Sequence, residues 1–186
     1  MIIELYGMTA IFWLLPVSIF ISTRQNALAV QIHEAAHYHL FKNRKLNDIF
    51  CNLFASYWIL NDVESYRVNH LRHHRFLHSE SDPDKELYSI QKNGDNNKIN
   101  ILLFIQDILL ITAFKRILVY TSKKNNIITK SRNNLFKILA QVLIFMLFYY
   151  SSENYLGICI WIIFWIIPLF CILPFITRLR IVAEHF

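Results

Sequence analysis

The sequence predicts an all-α fold: an integral membrane helical bundle with histidine-bearing helix extensions on the cytosolic side and amphipathic helices along the interface. Three observations predict it. Hydrophobic residues make up 55% of the 186-residue chain and charged residues only 17%, against roughly 25% charged in an ordinary soluble domain. With 3 glycines and 4 prolines, the chain favours long helices over tight turns. Finally, all 19 Lys and Arg residues fall on one side of a simple membrane topology. The length suits one domain, 1–186, with no internal repeat.

Three segments are apolar enough to span. Tyr155–Thr177 is 23 residues without a charge, and as a helix it covers roughly 33 Å, enough for the hydrocarbon core. Leu5–Ser22 is an uncharged run of 18. It is too aromatic, and too poor in preceding Lys or Arg, for a cleaved signal peptide. Ile138–Ser152 is uncharged, and the segment becomes 135–152 if Lys137 extends its ammonium to the interface. The polar stretch Ser151-Ser152-Glu153-Asn154 can turn a helical hairpin between the last two segments. With 5–22 running inward, 135–152 outward and 155–177 inward, every basic residue lies on the inner side, while Glu4 and Glu153 lie outside. That bias marks the inner side as cytoplasmic. The formal charge of +6 therefore needs no nucleic acid to explain it. Two further apolar stretches, 49–60 and 99–120, read as amphipathic helices along the inner face, with a re-entrant or buried helix as the alternative. Cys51, Cys159 and Cys171 form no C-x-x-C pair and read as small buried hydrophobes.

The eight histidines cluster on the basic side. His33 and His37 stand at i and i+4 in HEAAH; His70, His73 and His74 stand at i, i+3 and i+4 in HLRHH; His185 follows the last apolar segment. On a helix these spacings project from one face. Six imidazoles exceed the four ligands of a structural zinc site and the three protein ligands of a catalytic one, so the count points to more than one metal ion.

HEAAH at 33–37 and NHLRHHRFLHSESDPD at 69–84 resemble the first two histidine boxes of the membrane fatty acid desaturases. RKLND at 44–48, YR at 66–67 and RLRIVAEH at 178–185 are similar to that family as well, so the resemblance covers about residues 20 to 186. It implies two iron ions held by imidazoles at the cytosolic ends of long helices, with His33, His37, His70, His73, His74 and His185 as ligands. It also implies a reaction that uses dioxygen and two electrons on an unactivated C–H bond of a lipid acyl chain. A small electron carrier of ferredoxin or cytochrome b5 type would deliver the electrons. The metal-binding region is then 24–98 with 178–186. Complete family members continue to a third box of the H-x-x-H-H kind and carry another membrane segment upstream, so this chain is expected to be an incomplete member with an under-coordinated site.

The remaining polar residues are weighed singly. His78, at i+4 from His74, is a possible extra ligand. Asp82 and Asp84 can hold ligand imidazoles by hydrogen bonds or serve only a loop around Pro83. Asn69 and Glu184 sit beside ligands. His39 falls about 200° round a continuous helix from His37, off the ligand face, and Glu34 points elsewhere on the same helix. The tryptophans, including Trp58, Trp161 and Trp165, read as interface anchors and lipid-facing bulk. Related lipid hydroxylases and ketolases use similar boxes, and a non-catalytic remnant is a further alternative. A more remote one is an intramembrane zinc metalloprotease with Glu34 as general base, since HEAAH fits H-E-x-x-H; that reading leaves HLRHH unexplained.

Overall fold

The computed structural model of the chain describes residues 9–77, 79–84, 91–93, 96–98, 101–111 and 134–185. These are helical almost throughout. The segment expected at 5–22, of which 5–8 lie outside the described residues, belongs to a single helix, α1 (Thr9–Ala36), that continues without a break into HEAAH. At 28 residues it is about 42 Å long. Then come α2 (Arg44–Cys51), a π-helical stretch (Asn52–Ser56) and a short 3-10 turn (Tyr57–Ile59). The stretch expected as a separate helix at 49–60 is therefore the second half of a longer helical run. α3 (Val63–Phe76) carries the second histidine string. α4 (Ile101–Ile108) lies in the stretch expected at 99–120, and α5 (Asn134–Ser151) is the helix covering the segment expected at 135–152.

The last helical run is the longest. It comprises α6 (Asn154–Trp161), π-helical turns at Ile162–Ile166 and Pro168–Ile172, and α7 (Leu173–His185). His185 thus ends the same helical run that begins as the apolar segment. Among the described residues two helical stretches are long and apolar enough to cross a membrane, Asn134–Ser151 and Asn154–Ala183.

One element departs from the all-α expectation. Gln91–Asn93 (β1) pairs antiparallel with Asn96–Lys98 (β2), with Gln91 opposite Lys98. The strands are wholly polar and lack the alternation that marks a half-buried strand. The readable signal was the turn-favouring Gly94-Asp95 dipeptide in the sequence.

Packing is inverted relative to a water-soluble protein. On α1 the buried residues are Ser18, Ser22, Gln25, Ile32, Ala35 and Ala36, while Phe12, Trp13, Leu15 and Phe20 are exposed, Phe12 by 77%. The run from α2 onward buries Asn47, Cys51, Asn52, Ala55 and Ser56 and exposes Leu46, Ile49, Leu53 and Phe54. Small and polar groups thus make the helix contacts and large apolar ones face outward, the pattern of helices surrounded by hydrocarbon.

The buried polar groups are used as helix cement. Within the π-helical turns Ile167 N–H bonds Ile162 O, five residues back. In that register Pro168 has no N–H to offer Ile163 O, and Ser18 Oγ of α1 donates to that carbonyl at 3.3 Å. Gln25 Nε2 donates to Trp165 O at 3.3 Å. Trp165 Nε1 donates to Gln141 Oε1 at 3.0 Å, and Gln141 Nε2 to Trp58 O at 2.9 Å. Trp165 therefore turns its N–H inward to Gln141, which corrects its expected lipid-facing role, and the Trp161 ring packs on Phe145 at 5.2 Å. Hydropathy alone marked these indoles as interfacial, but their N–H groups need acceptors, and Gln141 supplies one.

Two ion pairs tie outlying helices to the bundle. Asp107 on α4 receives Arg178 Nε at 2.6 Å and Nη2 at 3.0 Å, with both side chains almost fully buried. Lys137, expected to extend to the interface, instead bonds the buried Asp62 carboxylate at the start of α3. Burial opposes ionisation of Asp62, but that ammonium and the Ser65 N–H outweigh it and hold the carboxyl below its usual range.

Candidate metal centre

Two elements aim the imidazoles. α1 ends at Ala36 in a Schellman turn: His39 N–H bonds Glu34 O at 3.0 Å and Tyr38 N–H bonds Ala35 O at 3.0 Å. Tyr38 takes the left-handed position at φ 59°, a conformation costing a non-glycine residue about 1–2 kcal/mol. Its ring lies under two guanidiniums, Arg67 at 3.9 Å and Arg44 at 4.9 Å from the centroid, which offset that cost. α3 starts at the N-cap Asp62, whose side chain accepts from Ser65 N–H at 2.8 Å, with acidic Glu64 in the first turn. Beneath both lies an apolar cluster of Ile32, Ala35, Cys51, Ala55 and Val63.

The two strings meet. One ligand atom from each of His33, His37, His70 and His74 lies within 4.8 Å of all the others. His70 Nε2 stands 2.9 Å from His37 Nε2 and 2.9 Å from His74 Nε2. The rings of His33 and His70 are 4.5 Å apart, and Tyr66 stacks on His70 at 5.2 Å. Burial, then repulsion from His33, His74, His37 and His73, pushes the His70 pKa down to about 3. Burial and the neighbouring imidazoles lower that of His37 as well. His70 is thus neutral at ordinary pH, the form in which imidazole binds a metal. Four converging nitrogens with no anion between them fit a cation that prefers nitrogen donors.

His73 stands apart from the four. It is buried, its ring is 5.8 Å from His74 and 6.3 Å from His70, and its Nδ1 faces Asp82 Oδ1 at 2.9 Å. Asp84 Oδ2 is 3.9 Å from the same nitrogen, and Asp84 N–H donates to Asp82 Oδ1 at 2.9 Å. Asp82 is buried, and its bond to Nδ1 makes Nε2 the ring nitrogen of His73 that would coordinate a metal. His185 ends α7, but only its backbone is among the described residues, and His78 lies outside them. Asn69 is exposed on α3.

His39 is exposed and outside the four converging groups, as expected, but a turn rather than the helix sets its position, and Glu34 departs from expectation. His39 was placed about 200° from His37 on a continuous helix, but the helix stops at Ala36. The Schellman turn brings the His39 ring to 5.5 Å from that of His37 and its Nδ1 to 3.0 Å from Glu34 Oε2. Glu34 does not point elsewhere: its Oε1 lies 3.1 Å from His33 Nδ1. Those two bonds hold the Glu34 carboxyl below its usual range, His39 contributing most. Helical periodicity could not reveal the His39 contact, because it depends on where the helix ends.

The supporting residues come from the segments between the boxes. Asn47 of RKLND donates to Ala35 O at 2.9 Å and accepts from Leu40 N–H at 3.1 Å. Arg67 of YR bonds Asp48 and the carbonyls of Ala35 and Ala36. These motifs therefore clamp the end of HEAAH against the helix that carries HLRHH.

Similarity to known proteins points to one family. The dihydrorhizobitoxine desaturase of Bradyrhizobium elkanii is 35% identical over 80 residues, a match covering 41% of this chain and 23% of that protein. The chain thus spans about a quarter of the length of the curated relative it matches. No solved structure matches the chain. The family model for fatty acid desaturases matches residues 10–186, nearly the whole chain. The chain belongs to the fatty acid desaturase family.

Proposed function

We propose that the chain forms the metal-binding part of a dioxygen-dependent lipid desaturase, with two iron ions held by histidine. The observation that carries this reading is the convergence of His33, His37, His70 and His74, drawn from both strings, on one point. His73, whose Nδ1 is held by Asp82, and His185 are the proposed further ligands and would give the second ion its donors. Iron bound there would supply the activation of dioxygen that removes hydrogen from an unactivated C–H bond. The chain's own contribution is to hold neutral imidazoles in place, to orient His73 through Asp82, and to keep His70 unprotonated. Engagement of Glu34 by His33 and His39 counts against a zinc-protease role, because a general base there must face the reacting water.

We place the helices in a membrane, with the histidines at its cytosolic face and an acyl chain as substrate. Supporting this are the two apolar helices and the outward Phe, Leu and Ile of α1 and α2. The electron donor is a small acidic carrier of ferredoxin or cytochrome b5 type. Lys42, Arg44, Lys45, Arg72 and Arg75 are all exposed around the two strings and would steer it.

The test is metal content and Mössbauer spectra of the intact protein purified in detergent, with membrane lipids profiled in a host lacking its own desaturase. Two irons per chain and unsaturated products are expected. A single tightly held zinc would end the reading.

A further inference from the structure

Around the inward-facing nitrogens lies an outer layer of hydrogen bonds that fixes how the rings are presented. On the second string Asp82 takes His73 Nδ1. On the first, Glu34 spans two rings at once, with Oε1 3.1 Å from His33 Nδ1 and Oε2 3.0 Å from His39 Nδ1. An ionised carboxylate can only accept, so each facing nitrogen must carry the hydrogen. A neutral imidazole has one N–H, so His33 held this way keeps its lone pair on Nε2. His39 reaches the second oxygen only because the Schellman turn at Tyr38 folds the chain back, its own N–H bonding Glu34 O.

We infer that Glu34 is a positioning residue that locks the His33 ring in the tautomer with Nε2 free for the metal, and that His39 is the clamp holding the Glu34 carboxylate in place. The inference rests on the metal-binding reading above. Glu34 is partly exposed, 42% for its side chain, so water competes for each bond and neither alone would hold the carboxylate; the two together fix its plane. Glu34 is not one of the four converging groups, so it orients a ligand without itself being a donor to the cluster. Metal-bound histidines whose far nitrogen loses such a partner typically lose 10–100-fold in metal affinity.

The experiment measures Co(II) affinity and the pulsed-EPR signal of the remote imidazole nitrogen in the Cu(II)-loaded intact protein, with thermal unfolding alongside. E34A should weaken Co(II) binding about tenfold and change the remote-nitrogen quadrupole signal. E34Q, whose amide oxygen still accepts from His33 Nδ1–H, should restore most of the affinity and the signal. H39A should give a smaller loss of the same sign, while E153A, in the exposed hairpin turn, should leave all three readings unchanged. Wild-type protein that binds no metal would remove the metal reading and this inference together. Wild-type binding with E34A matching it in affinity and spectrum would overturn the inference alone. Should E34A fail to fold, the graded pair decides, and wild-type values for both E34Q and H39A would overturn it.

Discussion

Arg67 and Asp48 form a two-point ion pair that also closes the end of α1. Arg67 Nη1 donates to Asp48 Oδ2 at 3.0 Å and Nη2 to Asp48 Oδ1, while Nε donates to Ala36 O and Nη2 to Ala35 O, each at 2.9 Å. Both side chains are largely buried. One guanidinium therefore satisfies carbonyls that the helix end leaves without intrahelical partners, and it binds the HEAAH helix, α2 and α3 together. R67A should cost roughly 3–5 kcal/mol, because it strands a buried carboxylate. R67K should lose most of the same amount, since an ammonium cannot reproduce the fork. Thermal unfolding of the detergent-solubilised variants measures this. Wild-type stability of R67K would show that the charge alone suffices.

Substitution of the clustered imidazoles should separate them from their neighbours. H33A, H37A, H70A and H74A each remove one of four converging donors and should each reduce bound iron by at least one ion per chain. H39A, which removes an exposed ring bonded to Glu34, should keep the full metal content at saturating iron. Elemental analysis after dialysis reads the result. Full iron content in H70A would contradict a site centred on that ring.

Much of the site could be read from spacing. HEAAH and HLRHH give the four clustered histidines as i, i+4 pairs, while His73, which the i+3 spacing puts on the same face, stands apart against Asp82. What spacing misses is contact decided by helix ends and by other segments. The stop at Ala36 swings His39 back onto Glu34, and Asn47 and Arg67 act on carbonyls that no side-chain pattern encodes. The helix at 135–152 was legible within one residue because it is a single apolar run, but the partners of Lys137 and Asp107 were not. A charge beside an apolar helix reads as interfacial until its counter-ion, Asp62 or Arg178, is known to lie opposite. The inward turn of Trp165 is the same lesson, since its acceptor Gln141 lies on another helix.

The hairpin between α5 and α6 depends on one glycine. A methyl group added at Gly157 would lie 2.4 Å from Phe148 O and 2.8 Å from Tyr149 Cα, backbone atoms that cannot move alone. The two helices approach this closely because Gly157 has no side chain, the small-residue packing usual in membrane bundles. G157A should lower thermal stability by about 1–3 kcal/mol through overpacking, and G157L should prevent accumulation of the protein. Protein yield and unfolding temperature in detergent report both. Unchanged stability in G157A would mean that the hairpin packs more loosely than these distances imply.

The metal-free protein should weaken in acid through His70. Unfolded, this imidazole titrates near 6.5; folded, its pKa is pushed down to about 3 by burial and by its neighbours. Between those values the unfolded chain binds the extra proton, so stability falls as pH drops from 6.5 toward 3 and is independent of this group above that window. The unfolding temperature of the apo protein, followed from pH 8 to pH 4, should decline below about pH 6.5. H70N should flatten the decline, because an amide does not titrate. An equal slope in H70N would assign the effect to other groups.

The pair between Asp107 and Arg178 should show strong coupling. It joins α4 to α7, and Arg178 lies seven residues before His185, about two turns along the same helix. Both side chains are buried, so removing one partner leaves an uncompensated charge, whereas removing both leaves neutral groups in an apolar contact. D107N and R178Q should each destabilise by about 3–5 kcal/mol, and the double variant by clearly less than their sum. The end of α7 is docked through this pair, so each single variant should also bind less iron. The double variant should regain stability without regaining iron, because it removes the charge penalty but not the loss of the two bonds that fix the helix. A complete double-mutant cycle, read by unfolding and by metal content on the same preparations, separates these contributions. Additive stabilities would show that the charges are screened from each other, and full iron in either single variant would show that α7 is held by its apolar contacts alone.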